Sequence, residues 1–329
     1  MDLTMTSVVA IIPHYQKEAG LLSRAVNSVL KQTCAEKISI IISDDESPIP
    51  ALDDLKANGI EQNDKIRVIR NQNGGAGPAR NRALDIVPDG TDYVAFLDSD
   101  DVWMPGHIET AIKALEYGYD FYFSDYMACD HRDTSNFVRI GSIKTEEHEL
   151  LESKLHIYAF KHTALDHIIR RGNVIQTSTA MYRFAKFSKL RFREEFYNGQ
   201  DFFFWMDIEQ LGATFVFSTN VECDCGLGFN IYSGAGWGTR RSLQRTKNEL
   251  KIWSSAEKIY PMNQLQKKSN KAKLAGLQKI VVQDIIHRII RRKPVDMKIL
   301  SDIVKLQPMF LVNAPFFFLN IMINKLLSR

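Results

Sequence analysis

The sequence predicts an α/β fold, a mostly parallel sheet flanked by helices, followed by a helical C-terminal extension. Three observations predict it. Short apolar runs alternate with amphipathic stretches over the first third of the chain. The runs are continuous rather than alternating, as in strands covered on both faces. Three of them end abruptly in polar or acidic residues, and parallel strands bring such ends to one edge, where ligands bind in open sheets of this kind.

The elements follow in order. "SVVAIIP" is an apolar run that stops at Pro13 and predicts a buried strand. In "EAGLLSRAVNSVLKQT", Leu21, Leu22, Ala25, Val26, Val29 and Leu30 recur at helical spacing. "KISIIISDDES" and "DKIRVIRN" predict the second and third strands. "GPARNRALDIV" predicts a helix opening at Pro78, where a first turn tolerates proline. "DYVAFLDSDD" predicts a fourth strand. The aromatic middle ("YGYDFYFSDY", "FREEFYNGQDFFFWMDI", "TFVFST") is expected to finish the sheet and wall the site. The boundaries expected are a first half-domain over 1–115, a second half of the same domain over 116–238, and a basic helical region over 239–329.

Composition is that of a globular protein: 329 residues, 45% hydrophobic, 25% charged, net charge +3. The charge is uneven. Thr239 to Lys298 holds 16 Lys+Arg against 4 Asp+Glu, a balance of +12, and the remainder carries −9. A basic segment on an acidic body points to an anionic surface. "LQPMFLVNAPFFFLNIMIN", Leu306 to Asn324, has no charge. Its two prolines and three asparagines argue for a helix lying in a membrane interface or docked on a partner, rather than a span. A helix packed on the protein's own core is the alternative.

Cys34, Cys129, Cys223 and Cys225 lack metal spacing and read as reduced thiols in a cytoplasmic protein. The N-terminal stretch lacks a basic region and a long apolar core, so no signal peptide is expected. His131, His156 and His162 read as surface or core residues. No nucleic-acid partner is expected.

Two motifs carry chemistry. Asp98, Asp100 and Asp101 crowd one turn after a strand, and crowded carboxylates raise one another's pKa. A hard divalent cation, Mg²⁺ or Mn²⁺, would balance them with substrate phosphates; an acidic helix cap is the alternative. In "NQNGGAGPARNRAL", Gly74, Gly75 and Gly77 allow close backbone approach, the next helix offers N–H groups to an anion, and Arg80 or Arg82 can pair with phosphate. Arg80 stands where the dinucleotide fingerprint needs its third glycine, and the Gly-Lys-Ser/Thr of a P-loop is missing.

Together "VVAIIPHYQKEAGLLSRAVNSVLKQT", "ISIIISDDES", "NGGAGPARNRAL" and "YVAFLDSDDVWMPGHI" resemble the family 2 nucleotide-diphospho-sugar glycosyltransferases with the Rossmann-like GT-A fold. The resemblance covers about residues 6–115 and weakens toward about 210. It implies a UDP-sugar donor, a divalent metal at the D-x-D, and inversion at the anomeric carbon. Carried over, Pro13 and Tyr15 flank the base and Asp45 reads the uracil edge, with Asp44 its neighbour. Arg80 lies near the donor, Asp98 and Ser99 face ribose or sugar, and Asp100 holds the metal. The acceptor implied is a saccharide or lipid-linked saccharide, with peripheral contact at the inner membrane.

An inverting transfer needs a base for the acceptor hydroxyl. The family places an E-D pair before an aromatic helix; here "NGQDFFFWMDI" puts Gln200 in the first place and Asp201 in the second. Asp201 is the expected base and Asp207 a lesser substitute. Where many members carry a histidine near the diphosphate, this chain reads "CGLGFNIYSGAGWGTRRS". Gly234, Gly236 and Gly238 around Trp237 suggest a loop that closes on the donor, with Arg240 and Arg241 meeting phosphate. The segment most resembles the bacterial exopolysaccharide, succinoglycan-type subgroup. A sugar nucleotidyltransferase would need a G-x-G-x-R-like signature near the first strand, which "IIPHYQKEAG" does not supply. A non-catalytic sugar-nucleotide or polysaccharide-binding component is the alternative; a dead site is expected to lose its acids, whereas Asp45, Asp98, Asp100 and Asp201 all stand, and binding without turnover would favour it.

Overall fold

The computed structural model describes residues 6–226, 235–239 and 241–327, with side chains to residue 323. The chain divides into two compact units: Met1–Glu194 with Asp201–Phe229, and Glu195–Gln200 with Asn230–Arg329.

The first unit is built on one sheet. Its strands are β1 (Val8–His14), β2 (Ile38–Asp44), β3 (Ile66–Arg70), β4 (Tyr93–Phe96), β5 (Val102–Trp103), β6 (Phe121–Met127), β7 (Glu149–Glu152), β8 (Ile157–Ala159), β9 (Met181–Arg183) and β10 (Phe215–Asp224). The order is β3-β2-β1-β4-β9-β6-β10-β8-β7, with β5 on β10. The helices are α1 (Leu21–Leu30), α2 (Ala51–Ala57), α3 (Ala76–Leu84), α4 (His107–Glu116), α5 (Asn136–Ile140), α6 (Ala164–Arg170), α7 (Phe184–Phe187) and α8 (Gln200–Gln210).

The four strands expected from apolar runs are β1 to β4, and they pair in parallel. β1 and β4 are buried throughout, as continuous apolar strands must be. α1 packs Leu22, Ala25, Val26 and Val29 on the core and leaves Leu30 exposed. α3 begins at Ala76, so Pro78 sits third in the first turn rather than first. The sheet is mixed beyond β4. β9 is antiparallel to both β4 and β6, while β10 is parallel to β6.

The aromatic middle fills one face of this sheet. Phe96 touches Phe192 edge-on at 5.3 Å and Phe204 at 5.7 Å, and Phe192 stacks on Phe204 at 4.3 Å. Phe121 meets Trp205 at 5.0 Å. Each such buried ring contributes roughly 1.5–3 kcal/mol, so this cluster fixes α8 against the sheet.

The second unit contains α9 (Ser242–Ile259), α10 (Gln264–Ile290), α11 (Met297–Leu306) and α12 (Phe310–Leu327). Asn263 and Gln266 form a reciprocal capping box that starts α10, and Asp296 caps α11. Leu243, Leu250, Leu274, Val281, Ile303, Phe310 and Ile321 form its core. Among the described residues no single helix is long and apolar enough to cross a membrane; α11 and Phe310–Ile323 pass together only as a pair bent by 110°.

Candidate active site

β2, β1 and β4 are neighbours, so their carboxyl ends share one edge. Backbone bonds tie the ends together: Asp45 N–H donates to the His14 carbonyl at 2.9 Å. His14 is buried, its Nε2 lies 2.7 Å from the Ile49 carbonyl, and burial lowers its pKa. The next residues do the joining. Gln16 N–H donates to Ser47 Oγ at 2.9 Å, and Gln16 Nε2 donates to Ser99 Oγ at 3.0 Å. Ser99 is thereby held on the end of β1. Pro13 is buried and Tyr15 partly buried beside it.

Asp44 ends β2 and Asp45 follows it, and the two do different things. Asp44 accepts the Ser47 and Ala51 N–H groups, each at 2.8 Å, and starts α2. Asp45 accepts Gly74 N–H at 2.9 Å and Gly75 N–H at 2.7 Å. The glycine turn therefore does not keep these N–H groups open for phosphate. Its tight geometry needs φ of +94° at Gly75. Each Asp45 oxygen retains a lone pair for a further donor. Burial raises the Asp45 pKa, while the two glycine N–H groups and Arg82 oppose the rise.

Arg80 is buried, ion-paired to Asp98, and lies 5.3 Å over the Phe192 ring. It neutralises one acid of the turn and is not held open for phosphate. Arg80 Nε and Arg82 Nη1 are each buried without a hydrogen-bond partner, and Arg82 lies beside Asp45.

The acidic turn is held by residues that no sequence pattern marked. Asp98 N–H donates to Ser178 Oγ at 2.9 Å, and the Ser178 hydroxyl donates to Asp101 at 2.6 Å. Asp101 also accepts Gly226 N–H at 2.9 Å. Burial first, then Asp100 and Asp98, push the Asp101 carboxyl up to about 7. Asp101 is thus a structural acid. Asp100 is partly exposed, and its backbone carbonyl accepts from Arg24 at 3.1 Å. Arg24 and Ser178 come from the first helix and from the turn before β9, and only the fold brings them here.

The donor set fits a hard divalent cation at Asp100: oxygen ligands, partial exposure, and Asp98 alongside already balanced by Arg80. The fold also gathers Asp101, Cys223 and Cys225, with potential ligand atoms within 4.8 Å of one another. Both thiols are buried, and the net effect of burial and nearby carboxylates keeps their pKa raised. Without an ion, the raised pKa favours the neutral thiols.

Asp201 opens α8, partly buried. Desolvation raises it to about 6; the Arg80 charge opposes the rise and the Asp98 charge adds to it. Those two influences place it in the same field as the acidic turn. Gln200 spends its amide on the Phe196 carbonyl. Asp207 is held in a fork with Arg193, at 2.8 and 3.0 Å.

A protein-family model described as "Glycosyl transferase family 2" matches residues 9–191. The chain belongs to glycosyl transferase family 2. This family 2 glycosyltransferase is 31% identical over 261 residues to the succinoglycan biosynthesis protein ExoW of Rhizobium meliloti (strain 1021), covering 78% of this chain and 79% of that one. It is 33% identical over 129 residues to the UDP-Glc:alpha-D-GlcNAc-diphosphoundecaprenol beta-1,3-glucosyltransferase WfgD of Escherichia coli, covering 38% of this chain and 47% of WfgD. S. aureus TarS 1–349, solved in complex with UDP-GlcNAc, superposes with a TM-score of 0.57 at 16% identity, over 94% of this chain and 81% of TarS. The glycosyltransferase has the GT-A fold.

In the second unit, Trp237 is 51% exposed. The described part of its loop is pinned to α10: Gly238 N–H donates to Asp284 at 2.6 Å, and Arg288, paired with Asp284, donates to the Thr239 carbonyl at 2.6 Å. Arg241 precedes α9, while Gly234 and Arg240 lie outside the described residues.

Proposed function

We propose that this glycosyltransferase moves a sugar from a UDP-sugar to a saccharide acceptor, lipid-linked, in bacterial surface or exopolysaccharide synthesis. The reading includes inversion at the anomeric carbon and dependence on Mg²⁺ or Mn²⁺ at Asp100. The observation that carries it is one sheet edge holding Asp45, Asp98 and Asp100, with Asp201 raised to about 6 in the same field.

Each residue then has a role. Tyr15 stacks on the base beside Pro13, a use of an aromatic face that every base permits. Asp45 accepts from the uracil edge through its remaining lone pairs. Arg82, with its unspent donor, meets the diphosphate. Asp98 and Ser99 orient ribose and sugar. A bound cation at Asp100 supplies the positive charge that a departing diphosphate needs. Asp201 takes the proton from the acceptor hydroxyl as it attacks the anomeric carbon from the face opposite UDP.

Relatives support the donor and acceptor classes: WfgD is a UDP-Glc:alpha-D-GlcNAc-diphosphoundecaprenol glucosyltransferase, and TarS was solved with UDP-GlcNAc. ExoW supports the polymer class. A nucleotide-sugar donor and lipid-linked acceptor fit the cytoplasmic face of an inner membrane.

The test is UDP release from a panel of UDP-sugars with Mn²⁺, Mg²⁺ or EDTA. Wild type should release UDP from one donor only with metal; Asp100→Ala should abolish it, and Asp201→Asn should lower it by about 10²–10⁴-fold. Metal-dependent binding without release, even with lipid-linked acceptors supplied, would instead support a non-catalytic binding component.

A further inference from the structure

We infer that α12 lies flat in the interface of an anionic lipid bilayer, with its outer apolar stripe immersed. The inner stripe is spent within the second unit: Phe310 and Ile321 are buried, and Ala314 and Phe317 pack partly against the same core. Those positions step by four, three and four, the spacing of one helical face. Val312, Phe316, Leu319 and Ile323 repeat that spacing on the other side and are 54%, 69%, 57% and 53% exposed. A helix facing water carries charge there. None stands between Leu306 and Asn324.

Charge selects the occupant. Lys305, at the end of α11, is exposed, and Lys279 reaches Asn320 on α12 at 3.2 Å. No acid follows Asp302 in the sequence, and the segment before it carries +12. An apolar stripe rimmed by cations matches acyl chains beneath anionic headgroups. A second copy would set like charges against each other.

Depth follows from the same contacts. The ammonium of Lys279 is bonded to α12 itself, which keeps the helix at headgroup level. The 110° bend before it and Pro315 within it suit a helix lying in the plane. The inference deepens the lipid-linked acceptor reading without needing it, because membrane binding is read without turnover.

The experiment is flotation of the full chain with phosphatidylcholine vesicles and with phosphatidylcholine–phosphatidylglycerol vesicles, at low and high salt. UDP release without vesicles is measured alongside, so that failure of the donor reading shows separately. Wild type should float with the anionic vesicles and less so at high salt. Phe316→Asp with Leu319→Asp should lower partitioning by at least about 10-fold, with unchanged circular dichroism; both sites are exposed, so folding is not at stake. Equal flotation of variant and wild type would overturn the inference. So would wild type that never floats, or an α12-dependent dimer in sedimentation without vesicle binding.

Discussion

Asp201 and Asp207 lie on one helix and meet opposite surroundings. Asp207 is held in two bonds by Arg193, whereas Asp201 is desolvated and raised to about 6. A base must be deprotonated to accept a proton, so kcat/KM should rise as pH rises through about 6. Asp201→Asn should lower kcat by about 10²–10⁴-fold and abolish that limb. Asp207→Asn should keep the limb and cost about 1 kcal/mol of stability. A pH–rate profile of the three proteins checks this; a limb that survives Asp201→Asn would move the base elsewhere. The sequence left Asp44 beside Asp45 because two adjacent aspartates at a strand end look alike in one dimension. Ser178, one hydroxyl in "QTSTA", carried no signal, since its role exists only once its turn meets the acidic one.

Among the elements, β10 ends against the acidic turn. A Cβ on Gly226 would lie 2.0 Å from the Asp100 carbonyl oxygen. Gly226→Ala must therefore displace the turn or the strand end, and with it the N–H that Asp101 accepts. UDP release should fall at least about 10-fold, because small displacements of a positioned group cost that much or more, and the thermal midpoint should drop. An alanine variant with wild-type turnover would show that the close approach is not needed. β1, β2 and β4 were legible because each lies in an apolar run with a polar stop, and β3 because Ile66, Val68 and Ile69 stand out among polar neighbours. β7, β8 and β9 are three or four residues long. Strands so short carry too little periodicity to read, and so the antiparallel insertion of β9 was not visible.

On the scale of the whole molecule, the first unit gathers histidines that spacing alone kept apart. His148, His162 and His167 surround Phe160 at 5.2, 5.8 and 5.5 Å. Burial pushes His148 and His167 down to about 4, and His148 Nε2 and both His167 nitrogens lack hydrogen-bond partners. Unfolded, these rings protonate near pH 6.5, as ordinary histidines do. The unfolded chain then binds more protons than the fold, so their contribution is intact above about 6.5 and lost as pH falls toward about 4. Asp101 and Asp201, raised in the fold, work the other way. Between pH 6.5 and 4, measured as thermal midpoint, His148→Phe with His167→Phe should lose less stability than wild type. Parallel curves would remove the histidines from the balance.

The bonds from Gln16 and Ser178 have a consequence for nucleotide affinity. A metal-binding turn that ordered itself only on contact would forfeit about 1–2 kcal/mol per residue fixed. Here the turn is knit to β1 and to the turn before β9 by side chains already in place. Its ordering is completed during folding, so under the proposed function a sugar nucleotide would bind without that cost.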